Sequence, residues 1–211
     1  MKQAQRLLGM VVLGGLLQGC MTAPPAPAPD DSLTRAQPEG WQARQAELRT
    51  LNQWTLQGKV AVRHEQGNDS AFIREWVQNG DQFLIEMSSA FMGMGSVRLE
   101  GSPTFLTITD SDGQQYLSDD PDALIRETLG WSLPVEALYI WVRGLPLQDS
   151  PADVFFDQQG RISHLRQQGW EIHYSNYATL AGVEAVPHSL TATRNDLRLR
   201  LVITRWTPET P

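Results

Sequence analysis

The residue types that usually carry out catalysis are present in this chain but scattered. Its four histidines are His64, His164, His173 and His188, and none falls in an HExxH or another close metal-ligand pair. All four are expected at the surface or rim, and no metal site is expected. Asp110-Ser111-Asp112-Gly113 begins like a calcium loop. However, its sixth position is Gln115 where glycine is needed, and its twelfth is Pro121 where glutamate is needed. A hairpin turn accounts for it better. Gly93-Met94-Gly95 lacks the third glycine and the following helix of a phosphate-binding loop. No GxSxG nucleophile elbow occurs, and no spacing pairs two carboxylates for acid–base work. No catalytic residue is therefore expected, and the chain does not read as an enzyme.

Two other segments point to lipid. Ala90-Phe91-Met92-Gly93-Met94-Gly95 lies between two alternating runs, where polar turn residues belong. Either Phe91, Met92 and Met94 fold back onto the core, or they are exposed and touch acyl chains. In the second case each would contribute roughly 1.5–3 kcal/mol on burial in an apolar phase. The other segment is the N-terminus. Lys2 and Arg6 precede an apolar stretch of 11 residues, Leu7 to Leu17, and then Gln18-Gly19-Cys20. That stretch is too short to span a bilayer and suits a secretory h-region. The chain's one cysteine follows it directly, which resembles a bacterial lipoprotein signal. The resemblance implies cleavage after residue 19 and acylation of Cys20 by N-acyl and diacylglycerol groups, with no other cofactor. Met21 stands where an Asp would favour inner-membrane retention, so the implied destination is the periplasmic face of the outer membrane.

Composition narrows the rest. The chain has 211 residues, a formal charge of −7 and 41% apolar residues. That suits one domain with appendages, is too apolar for general disorder, and lacks the basic surplus of a nucleic-acid binder. A single cysteine excludes an intramolecular disulfide and a cysteine-based zinc site. Ala23-Pro24-Pro25-Ala26-Pro27-Ala28-Pro29 favours extended polyproline II. Residues 20–40 thus read as an acylated tether, and the folded domain is expected over 41–211.

Within that domain the spacing of Trp41, Leu48 and Leu51 predicts an amphipathic helix over 41–52. Alternation then takes over. Trp54, Leu56, Gly58, Val60 and Val62 share one parity, as do Phe83, Ile85 and Met87, Val97 and Leu99, Trp170, Ile172 and Tyr174, and Leu199, Leu201 and Ile203. Turn pairs at Asn79-Gly80, Asp112-Gly113 and Gln159-Gly160 separate several runs. About eleven short strands result, with two more helices. One is capped by Asp120-Pro121 and ended by Gly130; the other runs from Pro134 to Gly144. The architecture is mainly β, a half-closed antiparallel barrel whose three helices fill or lid its concave side.

Three segments in this order resemble the LolB family of outer-membrane lipoprotein receptors. They are Leu51-Asn52-Gln53-Trp54-Thr55-Leu56-Gln57-Gly58-Lys59-Val60-Ala61-Val62, then Gly130-Trp131-Ser132-Leu133-Pro134-Val135 running on to Trp141-Val142-Arg143-Gly144-Leu145-Pro146, and Gln168-Gly169-Trp170-Glu171-Ile172-His173-Tyr174. The resemblance implies an unclosed barrel of eleven strands. It also implies acceptance of acylated lipoproteins from the periplasmic carrier LolA, and their insertion into outer-membrane phospholipid by a monomer. Phe91, Met92, Gly93 and Met94 correspond to the family's membrane-delivery loop, with Phe91, Met92 or Met94 as its tip. Trp54, Leu56, Phe83, Ile85, Leu138, Trp141, Trp170 and Ile172 are the candidates to line an acyl cavity. The competing reading is an outer-membrane lipoprotein that binds a small hydrophobic ligand or assists envelope assembly.

Overall fold

In the computed structural model the described residues are 33–88, 95–130, 134–180 and 183–209. Cys20, Phe91, Met92, Gly93 and Met94 lie outside them. Described strands are β1 (Gln53–His64), β2 (Gly67–Asn79), β3 (Gln82–Ser88), β4 (Val97–Ser102), β5 (Phe105–Thr109), β6 (Gln115–Ser118), β7 (Ala152–Phe156), β8 (Ile162–Gln167), β9 (Trp170–Leu180), β10 (Val183–Arg194) and β11 (Leu197–Pro208). The helices are α1 (Trp41–Thr50), α2 (Pro121–Leu129) and α3 (Val135–Trp141).

All eleven strands join one antiparallel sheet in the order β6-β5-β4-β3-β2-β1-β11-β10-β9-β8-β7. Every pairing except β1 with β11 is between sequence neighbours, which is the consequence of short turns between alternating runs. The Gln168-Gly169 turn is one example. Both residues have positive φ, 51° and 75°, the conformation of a type I′ hairpin. It sets Gln167 opposite Trp170 and fixes the β8–β9 register. The parities read from sequence hold. Trp54, Leu56, Val60 and Val62 are buried on β1, Phe83, Ile85 and Met87 on β3, and Leu199, Leu201 and Ile203 on β11.

The edge strands β6 and β7 do not pair with each other. An open edge offers unpaired amides to other chains. Here α2 packs beside β5 and β6, and Thr34 and Phe156 exchange backbone bonds of 3.0 and 2.8 Å along β7. Contacts of the domain therefore begin ahead of Trp41.

The helices start and stop for local reasons. α1 ends at Thr50, two residues short of the expected 52. Leu51 leaves helical geometry (ψ 71°) and the chain turns into β1. α2 begins as expected: the Asp120 carboxylate accepts from the Ala123 amide at 2.9 Å, Pro121 follows, and Gly130 closes the helix in the left-handed region. Asp122 then accepts from the amide of Val135 at 3.2 Å, tying α2 to the first residue of α3.

Gly58 marks a close approach of β1 to β11. A Cβ there would sit 2.3 Å from the carbonyl oxygen of Val202, beside a register shift in both pairings of β1. Gly58→Ala should lower stability by about 2 kcal/mol, within the usual range for overpacking. Gly80→Asn, in a turn with open space around it, should change stability far less. Urea unfolding of the two variants checks the contrast.

Candidate functional site

The buried side chains of the strands form one apolar layer, and α1 and α3 lie against it. Trp41 of α1 meets Phe156 of β7 edge-on, with ring centroids 5.0 Å apart. Trp141 of α3 stands 6.1 Å from Trp170 of β9. The eight candidate lining residues all belong to this layer, but in two groups. Trp54, Leu56, Phe83 and Ile85 lie on β1 and β3, where Trp54 is flanked by Trp76 at 5.2 Å and Trp206 at 4.9 Å. Trp141, Trp170 and Ile172 are buried together at the α3–β9 contact, with Leu138 half-buried on α3. Strands β11 and β10 separate the groups.

Polar atoms in this layer fall into two classes. Some are fully paired. Gln167 accepts from Trp141 Nε1 at 3.1 Å and from the Leu147 amide at 2.9 Å, and donates to the carbonyls of Leu147 and Ser150. Gln78 accepts from Trp76 Nε1 at 3.1 Å and donates to the Gly80 carbonyl. Others have no partner: Trp54 Nε1, Trp170 Nε1 and the Tyr174 hydroxyl are buried without a hydrogen bond. Burial, and to a lesser degree nearby Tyr177, raises the Tyr174 pKa well above 10, so it stays a neutral donor. A buried donor without an acceptor costs roughly 1–3 kcal/mol. Three such donors in one apolar interior suit acceptors that arrive with a ligand.

Arg143 holds the helices together. It is buried at the end of α3 and donates to the carbonyls of Tyr139 at 3.1 Å, Leu51 at 2.9 Å and Leu48 at 3.5 Å. The last two are carbonyls at the C-terminal end of α1, which no helical amide can satisfy. No carboxylate lies within ion-pair distance of Arg143 among the described residues. Burial pushes its pKa down to about 10 despite the opposing influence of Tyr139, so it remains charged at neutral pH. On the other side of α1, Arg44 donates to the Ala185 carbonyl at 2.5 Å, beside a register shift in β10. Sequence reading missed Arg143 and Gln167. The available signal was a cationic residue closing an otherwise apolar helical run.

The outer face of the same strands holds a cluster that the sequence reading did not assemble. His164 is buried (8% exposed), not at the surface or rim as expected. It stands opposite His173 across β8 and β9, with ring centroids 4.0 Å apart, and packs on Phe155 at 5.2 Å. Its Nε2 lies 2.9 Å from Glu171. Burial and then His173 lower its pKa, against the pull of Glu171. The signal was available, because a two-residue turn at Gln168-Gly169 dictates this pairing by counting. The other two histidines are engaged elsewhere, His64 with Asp69 at 2.8 Å and His188 with the Ile203 carbonyl at 3.3 Å.

Met87 pairs with Val97, which fixes the strands on either side of the expected delivery loop. Phe91, Met92, Gly93 and Met94 themselves lie outside the described residues, as does Cys20.

Removing the Arg143 charge would relieve its desolvation but strand the α1 carbonyls. Loss of bonds from a charged donor costs roughly 1.5–3 kcal/mol each before that relief. Arg143→Met should destabilise the domain by about 2 kcal/mol and speed amide exchange over α1 first. Hydrogen exchange read by mass spectrometry checks this.

The sequence model of the family described as outer membrane lipoprotein LolB matches residues 52–206. A protein of Marinobacter nauticus named outer-membrane lipoprotein LolB is 38% identical over 206 residues, covering 97% of this chain and 99% of its own. One of the same name from Chromohalobacter salexigens is 40% identical over 199 residues, covering 94% and 88%. Among solved structures, a DUF1329 family protein from Desulfovibrio piger shares the fold. Its TM-score is 0.52 at 4% identity, and the match covers 80% of this chain and 91% of that one.

Proposed function

The chain belongs to the LolB family of outer-membrane lipoproteins, a family of non-enzymes, and we propose that it accepts acylated lipoproteins from the carrier LolA and inserts them into the outer membrane. The observation that carries this reading is the interior. One continuous apolar layer spans the sheet, and it is roofed by helices instead of being closed by strands. A roof held by side-chain contacts and a few hydrogen bonds can be displaced, whereas a closed strand ladder cannot. Acyl chains would lie along the inner face of the sheet, against Trp54, Leu56, Phe83 and Ile85 on one side and Leu138, Trp141, Trp170 and Ile172 at the α3–β9 contact on the other. The unpartnered donors of Trp54, Trp170 and Tyr174 suit the ester and amide carbonyls that join those chains to a lipoprotein's cysteine.

Transfer of this kind needs no nucleotide if each step is downhill. A tenfold preference for the acceptor requires about 1.4 kcal/mol. The bilayer is the deepest well, at roughly 0.8 kcal/mol per buried methylene. The receptor would itself be anchored by acyl groups on Cys20 at the periplasmic face and act as a monomer. Phe91, Met92, Gly93 and Met94 would enter the inner leaflet and lower the barrier to the last step.

Two outcomes are expected with the soluble mature chain carrying Cys20→Ala. Mixed with LolA loaded with an acylated lipoprotein, it should take the cargo, and liposomes should then receive it; co-purification and flotation report each step. Cargo that stays on a competent carrier would leave a hydrophobic-ligand binder as the better reading. Met92→Glu should still take cargo but deliver it to liposomes at least roughly tenfold more slowly, since a charge at the tip opposes entry into the apolar phase. Normal delivery by this variant would remove the loop from the mechanism.

A further inference from the structure

We propose that the outer face of β8 and β9 carries a site for a divalent late transition metal ion such as zinc, with His164, His173 and Glu171 as ligands. Their candidate ligand atoms all lie within 4.8 Å of one another. The two imidazoles are a directly opposed cross-strand pair, and Glu171 is two residues before His173 on the same face of β9. The backbone has thus already brought the three together at no cost to the ion. A tetrahedral zinc with bonds of roughly 2.0–2.1 Å separates its ligands by roughly 3.4 Å. Closing onto the ion needs only side-chain rotation by His173, which is exposed, and Glu171, which is half-exposed.

An independent observation points to a cation. His164 Nε2 is buried and has no hydrogen-bond partner, although it lies 2.9 Å from Glu171 Oε1. The nitrogen and the carboxylate oxygen are held together without a well-aligned hydrogen bond, so a cation placed between them would use both as ligands. His164 is also held in place. Phe155 packs on one side of its ring and His173 on the other. Two imidazoles and one carboxylate with an open side toward solvent form the donor set that zinc accepts with water as fourth ligand. The same set is poor for magnesium or calcium, which prefer six or more oxygens.

Arg166 competes for one of the three ligands. Its guanidinium bonds Glu171 Oε1 at 3.1 and 3.3 Å and stands 5.5 Å from the Phe155 ring. A metal must displace it. This gives the site a signature that no unrelated binding would share: removing a ligand weakens affinity, and removing the competing cation strengthens it.

The test uses the untagged mature chain in detergent, titrated with zinc chloride at neutral pH by calorimetry. Cobalt(II) absorption serves as the coordination readout. One ion per chain is expected, with ligand-field bands from imidazole coordination and no comparable binding of magnesium. His173→Ala and Glu171→Gln should each weaken zinc binding by at least tenfold, and Arg166→Gln should tighten it. All three are accessible side chains, so folding should survive, and circular dichroism verifies that. Absence of binding to the wild-type chain would overturn the site, as would an affinity that none of the three variants changes. The latter result would place the ion elsewhere.

Discussion

Ten of the eleven described strands, all but the edge strand β6, bury apolar residues on one face, and the sheet does not close on itself. From β6 to β7 it runs through eleven strands with no pairing between the two ends. Trp54 and Trp170 are fully buried on this face, and Trp141 of α3 is fully buried against it. Exposed, such a surface would far exceed the apolar patches that soluble proteins tolerate. The helices are therefore required by the sheet. α1 and α3 supply Trp41, Leu48, Ala137 and Trp141 to the layer, and α2 covers the region beside β5 and β6.

How the roof is attached matters as much as its presence. Hydrophobic contact is non-directional and would allow α1 and α3 to slide. Arg143 and Gln167 give them a register. Arg143 binds the last carbonyls of α1 from the end of α3, and Gln167 binds the segment after α3 and the Trp141 indole from the sheet. These bonds are few and directional. All but the Trp141 indole bond end on a backbone carbonyl or amide. The roof is thus held by apolar contact together with a handful of directional bonds. A closed barrel would have to give up a whole strand ladder.

Legibility from sequence tracks how local the cause is. The parity of Trp54, Leu56, Val60 and Val62 and the Asp120-Pro121 start of α2 depend on neighbouring residues and read correctly, whereas the turn expected at Asn79-Gly80 lies one residue later, at Gly80-Asp81, because Asn79 stays in β2 opposite Gln82. The end of α1 was misplaced by two residues because Leu51 continues the apolar spacing although the chain has already turned toward β1. The role of Arg143 was invisible, since its partners Leu48 and Leu51 lie more than ninety positions away. Parity placed six of the lining candidates, those on β1, β3 and β9, on the buried face, and helical spacing placed Leu138 and Trp141 on the apolar side of α3. Their division into two groups follows from β1 pairing with β11, the one long-range pairing in the sheet, which no local signal announces. The His164–His173 pair lies between these extremes, within reach of counting from the Gln168-Gly169 turn.

The two faces of β8 and β9 show what alternation makes possible. Trp170, Ile172 and Gln167 point inward, where they pack on or bond to α3. His164, Glu171 and His173 occupy the intervening positions and point outward. A strand cannot shift its outer register without shifting its inner one. An ion bound by the outer trio would therefore clip β8 to β9 and stiffen the floor on which Trp141 and α3 rest. The outer trio and the inner packing of Trp170 and Ile172 therefore share one register.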